Sequence, residues 1–407
     1  MERVTELGGM WLVLLATLPI RVGSGSAKVS VFEVMAIPLL WVELRRAGRP
    51  SWPLKGLGGS AVVRIWLLFL VWAAVSLAWA PDQLLWAKRA VVLAEAAVAA
   101  WAVHLAVRRL GMRAFAWMAS ISGLLGSAIA IIWFYVLGAN PELSLHPPPD
   151  PAAAVSQALR LGSPVVGPSN YFASFLLLSI PLAFYLARGS VLHKVSVVVQ
   201  SVALVSTVSR GALYALILVG LVALPLGWRL RELRPRVIAA WLVAFVVSIW
   251  LAPRLLTWLL SRRRLPDASG GGPAGVGSAA LEDSGRVEFL GVAFDLIRSR
   301  PLVGTGLGNW EAVVPPALAS GAHNSYVQAA VETGLIGLAL LLSLLWLAAR
   351  TIWCLAEHRL RYSMAVAFFG VLVNSLVEAS YEGVAFGWTF IIFLGAVFAA
   401  RDPERST

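Results

Sequence analysis

Apolar runs of roughly 16 residues or more recur along the whole chain, and few architectures tolerate that. Lipid offers a backbone no hydrogen-bond partners, so a segment that crosses it must close its own bonds as a helix or join a sealed barrel. No alternating ten-residue pattern points to barrel strands. The runs therefore predict an all-α polytopic membrane protein. Composition agrees: 59% of residues are hydrophobic and 13% charged, where a soluble globular chain carries about 25% charged residues. The net charge of +12 belongs to membrane loops rather than to nucleic-acid binding, because cytoplasmic loops collect Lys and Arg and no basic soluble domain is present. Cys354 is the only cysteine, so no disulfide framework or cysteine metal site is expected.

We read about twelve membrane spans, near residues 8–22, 29–45, 61–80, 84–107, 114–137, 170–187, 192–208, 210–227, 237–252, 324–349, 362–380 and 384–400. The chain thus forms a single integral membrane domain over 1–407. Residues 10–20 have the length of a signal-peptide core, with small residues at 23–27 behind them. Glu2 and Glu6 stand against Arg3 there, so the start is not positive and a retained first helix is expected. One set of loops holds Arg45, Arg46, Arg49 and Lys55; Arg108, Arg109 and Arg113; Arg188 and Lys194; Arg229, Arg231, Arg234 and Arg236; and Arg350, Arg359 and Arg361. That side is cytoplasmic by the positive-inside rule and takes both termini. Two long segments then lie outside. One is a proline-rich loop over 138–169; the other covers 253–323, with a glycine stretch and an amphipathic helix near 284–299.

Candidate chemistry gathers on the outer side. Of the five histidines, His104, His193 and His358 fall near the cytoplasmic side, while His146 lies in the proline-rich loop. His323 directly precedes an apolar helix, where a neutral imidazole can serve as a base. Arg286 stands on the apolar side of its amphipathic segment and in its first turn, against both the packing and the helix dipole. A cation placed so suggests an anion beside it, although a snorkelling Arg reaching lipid headgroups also fits. Arg210 sits in a short outer turn at a helix start. Charge at the bilayer centre costs about 2.5–3.5 kcal/mol, so even at the rim an anionic partner explains it economically. Arg89 is placed to join that anion site. Lys88 and Glu95, on one face of the same span, fit an internal ion pair. Gly304-Thr305-Gly306-Leu307-Gly308 has no strand before it and no P-loop lysine after it. It is read as a tight turn bringing backbone close to the membrane rather than as a nucleotide site. Glu332, nine residues after His323, falls on the opposite helix face and makes a poor dyad partner.

Several of these pieces stand together in one order. They are Gly167-Pro168-Ser169-Asn170-Tyr171 before a span with Pro181, the turn 207–211, Gly285-Arg286, the stretch 300–309, and His323-Asn324 followed by Glu332-Thr333-Gly334 and Gly337. Over roughly residues 160–340 the chain resembles the O-antigen ligase and polymerase superfamily of bacterial membrane glycosyltransferases. The resemblance implies a fold of about twelve helices with a large periplasmic loop. It implies an undecaprenyl-pyrophosphate-linked glycan donor, a lipid A-core sugar or another glycan as acceptor, and inverting transfer without metal or other cofactor. It carries catalytic roles onto Arg210, Arg286 and His323. Gly337 stands where a ligase can carry Thr, which leaves a polymerase open. A transporter of lipid-linked glycan shares the helices and the cations, but it usually shows repeated halves with broken helices at mid-membrane. A purely structural membrane protein leaves Arg210, Arg286 and His323 without a reason. Such an enzyme would lie in the bacterial inner membrane, its site facing the periplasm, with membrane lipids and no nucleic acid as partners.

Overall fold

Helices follow the apolar runs. The computed structural model describes residues 21–22, 29–30, 61–137, 161–162, 169–207, 209–229, 286–315, 324–376 and 384–400. Within them the helices are α1 (Ala61–Val75, continued by a 3₁₀ turn, Ser76–Trp79), α2 (Gln83–Leu110), α3 (Met112–Ile131, closed by a π turn, Ile132–Val136), α4 (Ser169–Leu186), α5 (Val191–Ser206) and α6 (Arg210–Arg229). They continue as α7 (Arg286–Ser299), the single turn α8 (Trp310–Val313), α9 (Ser325–Trp353), α10 (His358–Asn374) and α11 (Val384–Ala399). Every expected span that falls within the described residues is helical. Residues 8–20 and 31–45 of the first two expected spans, the whole span expected at 237–252, and His146 lie outside them. At the edges of the first two expected spans the chain departs from helix: Arg21–Val22 pairs antiparallel with Val29–Ser30. Gly23 and Gly25 stand between the two pairs, and glycine disfavours a helix there.

Among the described residues four helices are long and apolar enough to cross a membrane, namely Gln83–Leu110, Met112–Val136, Ser169–Leu186 and Ser325–Trp353. Shorter apolar helices pack among them, so, apart from the short Arg21–Val22 and Val29–Ser30 pair, the described residues form a helical bundle consistent with a membrane protein. Helix α4 is its centre. It touches α3, α5, α6, α10 and α11, and Phe172, Phe175, Leu176, Leu178 and Leu182 are buried along it. Pro181 lies inside α4, which membrane helices tolerate when neighbours cover the freed backbone.

Between lipid-like surfaces there is no hydrophobic drive to hold helices together, so small residues and hydrogen bonds do it. Ala96, Ala99, Ala102 and Ala106 form the buried face of α2 toward α11. Gly395 there lies so near the Ala100 carbonyl that a Cβ would collide with it. Between α3, α4 and α5 the glue is polar. Gln200 donates to the Ser120 carbonyl (3.2 Å) and to Ser196 Oγ (2.7 Å), and accepts from the Ser179 hydroxyl. Ser120 Oγ also bonds His193 Nδ1 at 2.8 Å.

The bundle has two distinct ends. At one, Met112, Leu186, Leu355 and Leu360 share a cluster, and Tyr185 donates to Glu357 at 2.8 Å. The helix ends and turns there carry Arg108, Arg109, Arg113, Arg188, Arg350, Arg359 and Arg361, so the arginine-rich turns within the described residues gather at one end. The opposite end is where α4, α6 and α9 begin and α10 finishes. Ser174 meets Asn374 (2.6 Å), Ala212 and Ala215 pack beside Val373, and the Ser325 N–H reaches the Ser375 carbonyl.

Candidate active site

Helix α9 is broken on the second of these ends. Gly334 has φ 68° and ψ −178°, which is not helical, and the chain resumes as helix at once. Such a break frees backbone groups that lipid cannot satisfy. The stretch 300–309 satisfies them. Thr305 and Gly306 donate to the Val331 and Glu332 carbonyls, both at 2.8 Å, and Leu335 donates to the Pro301 carbonyl at 2.8 Å. Trp72 of α1 takes the Thr333 carbonyl through its indole N–H at 2.8 Å.

The glycines make this approach possible. Gly304, Gly306 and Gly308 have φ of 67°, 103° and 71°, a region that side chains disfavour. A Cβ on Gly304 would stand 2.5 Å from Gly334 N; on Gly306, 2.8 Å from the Ala80 Cβ; on Gly308, 2.6 Å from the Arg89 Cβ. The turn is therefore seated between α9, α1 and α2, and contact with these helices is what excludes side chains there. Ser76 Oγ accepts from Leu307 N–H (3.1 Å), and Asn309 Oδ1 accepts from Asp82 N–H (2.7 Å). Asp82 in turn caps α2 through Leu84 and Leu85.

Glu332 lies at the centre of the seat and is fully buried. Its carboxylate accepts from Gly308 N–H at 2.7 Å and from the Gln328 amide at 2.9 Å. The sequence flagged it only as an intramembrane acid unsuited to pair with His323. Its partner is a backbone group 24 residues earlier, which no periodicity reveals. Helix α7 joins the assembly through Phe289 and Ala293, which pack with Trp310, Val314 and Val331.

Arg210 opens α6, and α6 runs antiparallel to α10, so its first turn stands beside the end of α10. His323 lies outside the described residues, but its successor Asn324 caps α9 by accepting from Tyr326 and Val327 N–H, each at 3.0 Å. Asn324 also donates to the Leu376 carbonyl at 3.0 Å. Arg286 is the first residue of α7, and the residues directly before it lie outside the described ones. Arg89 lays its stem on Gly308, within the seat of the glycine turn. Lys88 is exposed on α2, and the α2 face toward α11 is taken by alanines. Among the described residues no cluster of His, Cys, Asp and Glu has the makings of a metal site.

A helical membrane bundle with a discontinuous helix, filled by a glycine turn from a preceding loop, is the class these features define. Residues 195–342 match the family model described as O-antigen ligase, and the match supports the O-antigen ligase superfamily. That stretch contains Arg210, Arg286, the glycine turn, His323 and Glu332. Members of this superfamily are membrane glycosyltransferase-like ligases and polymerases. No curated protein matches the chain.

Proposed function

We propose that the protein is an O-antigen ligase-like glycosyltransferase of the bacterial inner membrane, with both termini cytoplasmic. It moves a glycan from undecaprenyl pyrophosphate to an acceptor hydroxyl of lipid A-core sugar at the periplasmic face. The acceptor oxygen attacks the anomeric carbon, and its proton passes to His323. The bond from that carbon to the pyrophosphate oxygen breaks as the new glycosidic bond forms, which inverts the centre. Undecaprenyl pyrophosphate leaves with the additional negative charge. Arg210 and Arg286 hold that charge as it develops, and Arg89 assists in binding the pyrophosphate. Neither a metal nor another cofactor takes part.

The observation that carries this reading is the meeting of helix starts: the α6 turn that opens with Arg210 and the α9 cap that follows His323 both stand against the last turn of α10. The family match over 195–342 supports the same chemistry. The test is transfer by purified protein in lipid nanodiscs, given lipid-linked glycan and lipid A-core acceptor. Arg210→Ala, Arg286→Ala and His323→Ala should each lose on the order of 100-fold or more in rate. Normally folded variants with full activity reject the assigned roles. Extension of lipid-linked glycan in place of attachment to lipid A-core identifies a polymerase, and movement of the donor across vesicles without a new glycosidic bond identifies a transporter.

A further inference from the structure

A buried carboxylate inside a membrane bundle is costly, and such residues are kept for a purpose. Glu332 has two side-chain partners, and the bond to Gly308 N–H ties it to a different part of the chain. Its own backbone carbonyl takes Gly306 N–H, so one residue grips the turn at two points. An apolar side chain would fill the space but leave Gly308 N–H unmatched, loosening the turn at its Gly308 end while the backbone bonds of Thr305 and Gly306 remain. A hydrogen bond fixes position and direction together.

What the grip fixes follows from the chain order. The turn continues directly from α7, which starts at Arg286, and the half of α9 that holds Glu332 starts at Ser325, two residues after His323. Asn309 extends the tie to the start of α2, six residues before Arg89. The elements leading to Arg286, His323 and Arg89 thus lock together at one place.

We propose that Glu332 is a positioning residue for glycosyl transfer, holding the glycine turn on the broken helix so that Arg286 and His323 keep their mutual placement. This rests on the proposed transferase reading. Positioning acts on the chemical step: misplacement by about 1 Å can cost roughly 100-fold in rate.

The test compares Glu332→Met, which keeps volume and removes both acceptors, with Glu332→Gln, which keeps an acceptor for Gly308. Two readouts are taken: kcat and donor KM for transfer, and hydrogen exchange across residues 300–310. Glu332→Met should lower kcat by about 10- to 100-fold, leave KM within about threefold, and speed exchange across the turn. Glu332→Gln should restore protection and bring kcat within about fivefold of the parent. Parental kcat and exchange in Glu332→Met overturn the proposal. So does a Glu332→Gln protein that is inactive yet protected, because the charge would then act on its own account. Should Glu332→Met fail to fold, Gln328→Leu, which removes the carboxylate's second support, must show the same pattern with a smaller fall; parental behaviour there overturns the proposal too. Full activity in His323→Ala would sink the transferase reading instead, while the exchange result would still judge the grip.

Discussion

Ser325 donates its backbone N–H to the Ser375 carbonyl at 2.9 Å, so the first turn of α9 hangs from the last turn of α10. Asn324 secures the joint, capping α9 with its side-chain oxygen and donating its amide to Leu376. Loss of an N-cap costs about 0.5–2 kcal/mol. Asn324→Ala should therefore lower the melting temperature of the purified protein, and Asn324→Ser, which keeps a capping oxygen, should recover most of the loss. Since His323 directly precedes Asn324 in the chain, Asn324→Ala should also reduce transfer more than its stability loss explains. Parental melting and parental transfer would show that the cap fixes nothing.

Two glycines in helices should respond in opposite ways to alanine. Gly334 has φ 68°, and a Cβ there would strike the Leu302 carbonyl. Gly334→Ala should abolish folded, membrane-inserted protein or leave it inactive. Gly291 lies inside α7 with nothing within 4 Å of a new Cβ among the described residues. Gly291→Ala should be neutral or stabilise by about 0.5–1 kcal/mol through helix propensity. Yield of monodisperse protein and thermal melting check both.

The contrast between those glycines also marks what the sequence could reveal. Apolar length alone located helices such as α2, α3 and α4, because lipid leaves a run of that length no other structure. The arginines at 108, 109, 113, 188, 359 and 361 were enough to group the turns of one end. The break at Gly334 was hidden, because the apolar run resumes at Leu335 and the freed backbone groups are paired by residues 301–306, far away in sequence. Glu332 was hidden for the same reason: its meaning comes from Gly308, not from its neighbours on the helix. Arg210 and Arg286 were noticed because each is a cation at a helix start, where the dipole disfavours it.

The polar seam between α3 and α5 makes a prediction about fit. Gly123 faces the Gln200 amide, and a Cβ on it would come within 2.6 Å of the amide nitrogen. That amide is held by Ser120, Ser196 and Ser179 and has little room to turn aside. Gly123→Ala should destabilise by overpacking, about 1–3 kcal/mol. Gln200→Ala should cost about 1 kcal/mol by leaving hydroxyls unmatched in the bundle. The double variant should be clearly less impaired than the sum, because each change relieves the other. Additive losses in thermal melting would mean that the two residues do not press on one another.

Arg89 offers the last prediction, on binding rather than on chemistry. Its stem packs on Gly308, which holds the side chain at the glycine turn. Arg89→Met keeps that stem and removes only the guanidinium. If the charge helps to bind the donor pyrophosphate in ground state and transition state alike, donor KM should rise about 3- to 10-fold while kcat stays near the parental value. Raised salt should then weaken the parent more than the variant, since the parent has one more screened contact to lose. Steady-state kinetics with lipid-linked donor at two ionic strengths check this. An unchanged KM at both would remove Arg89 from the pyrophosphate site and leave that work to Arg210 and Arg286.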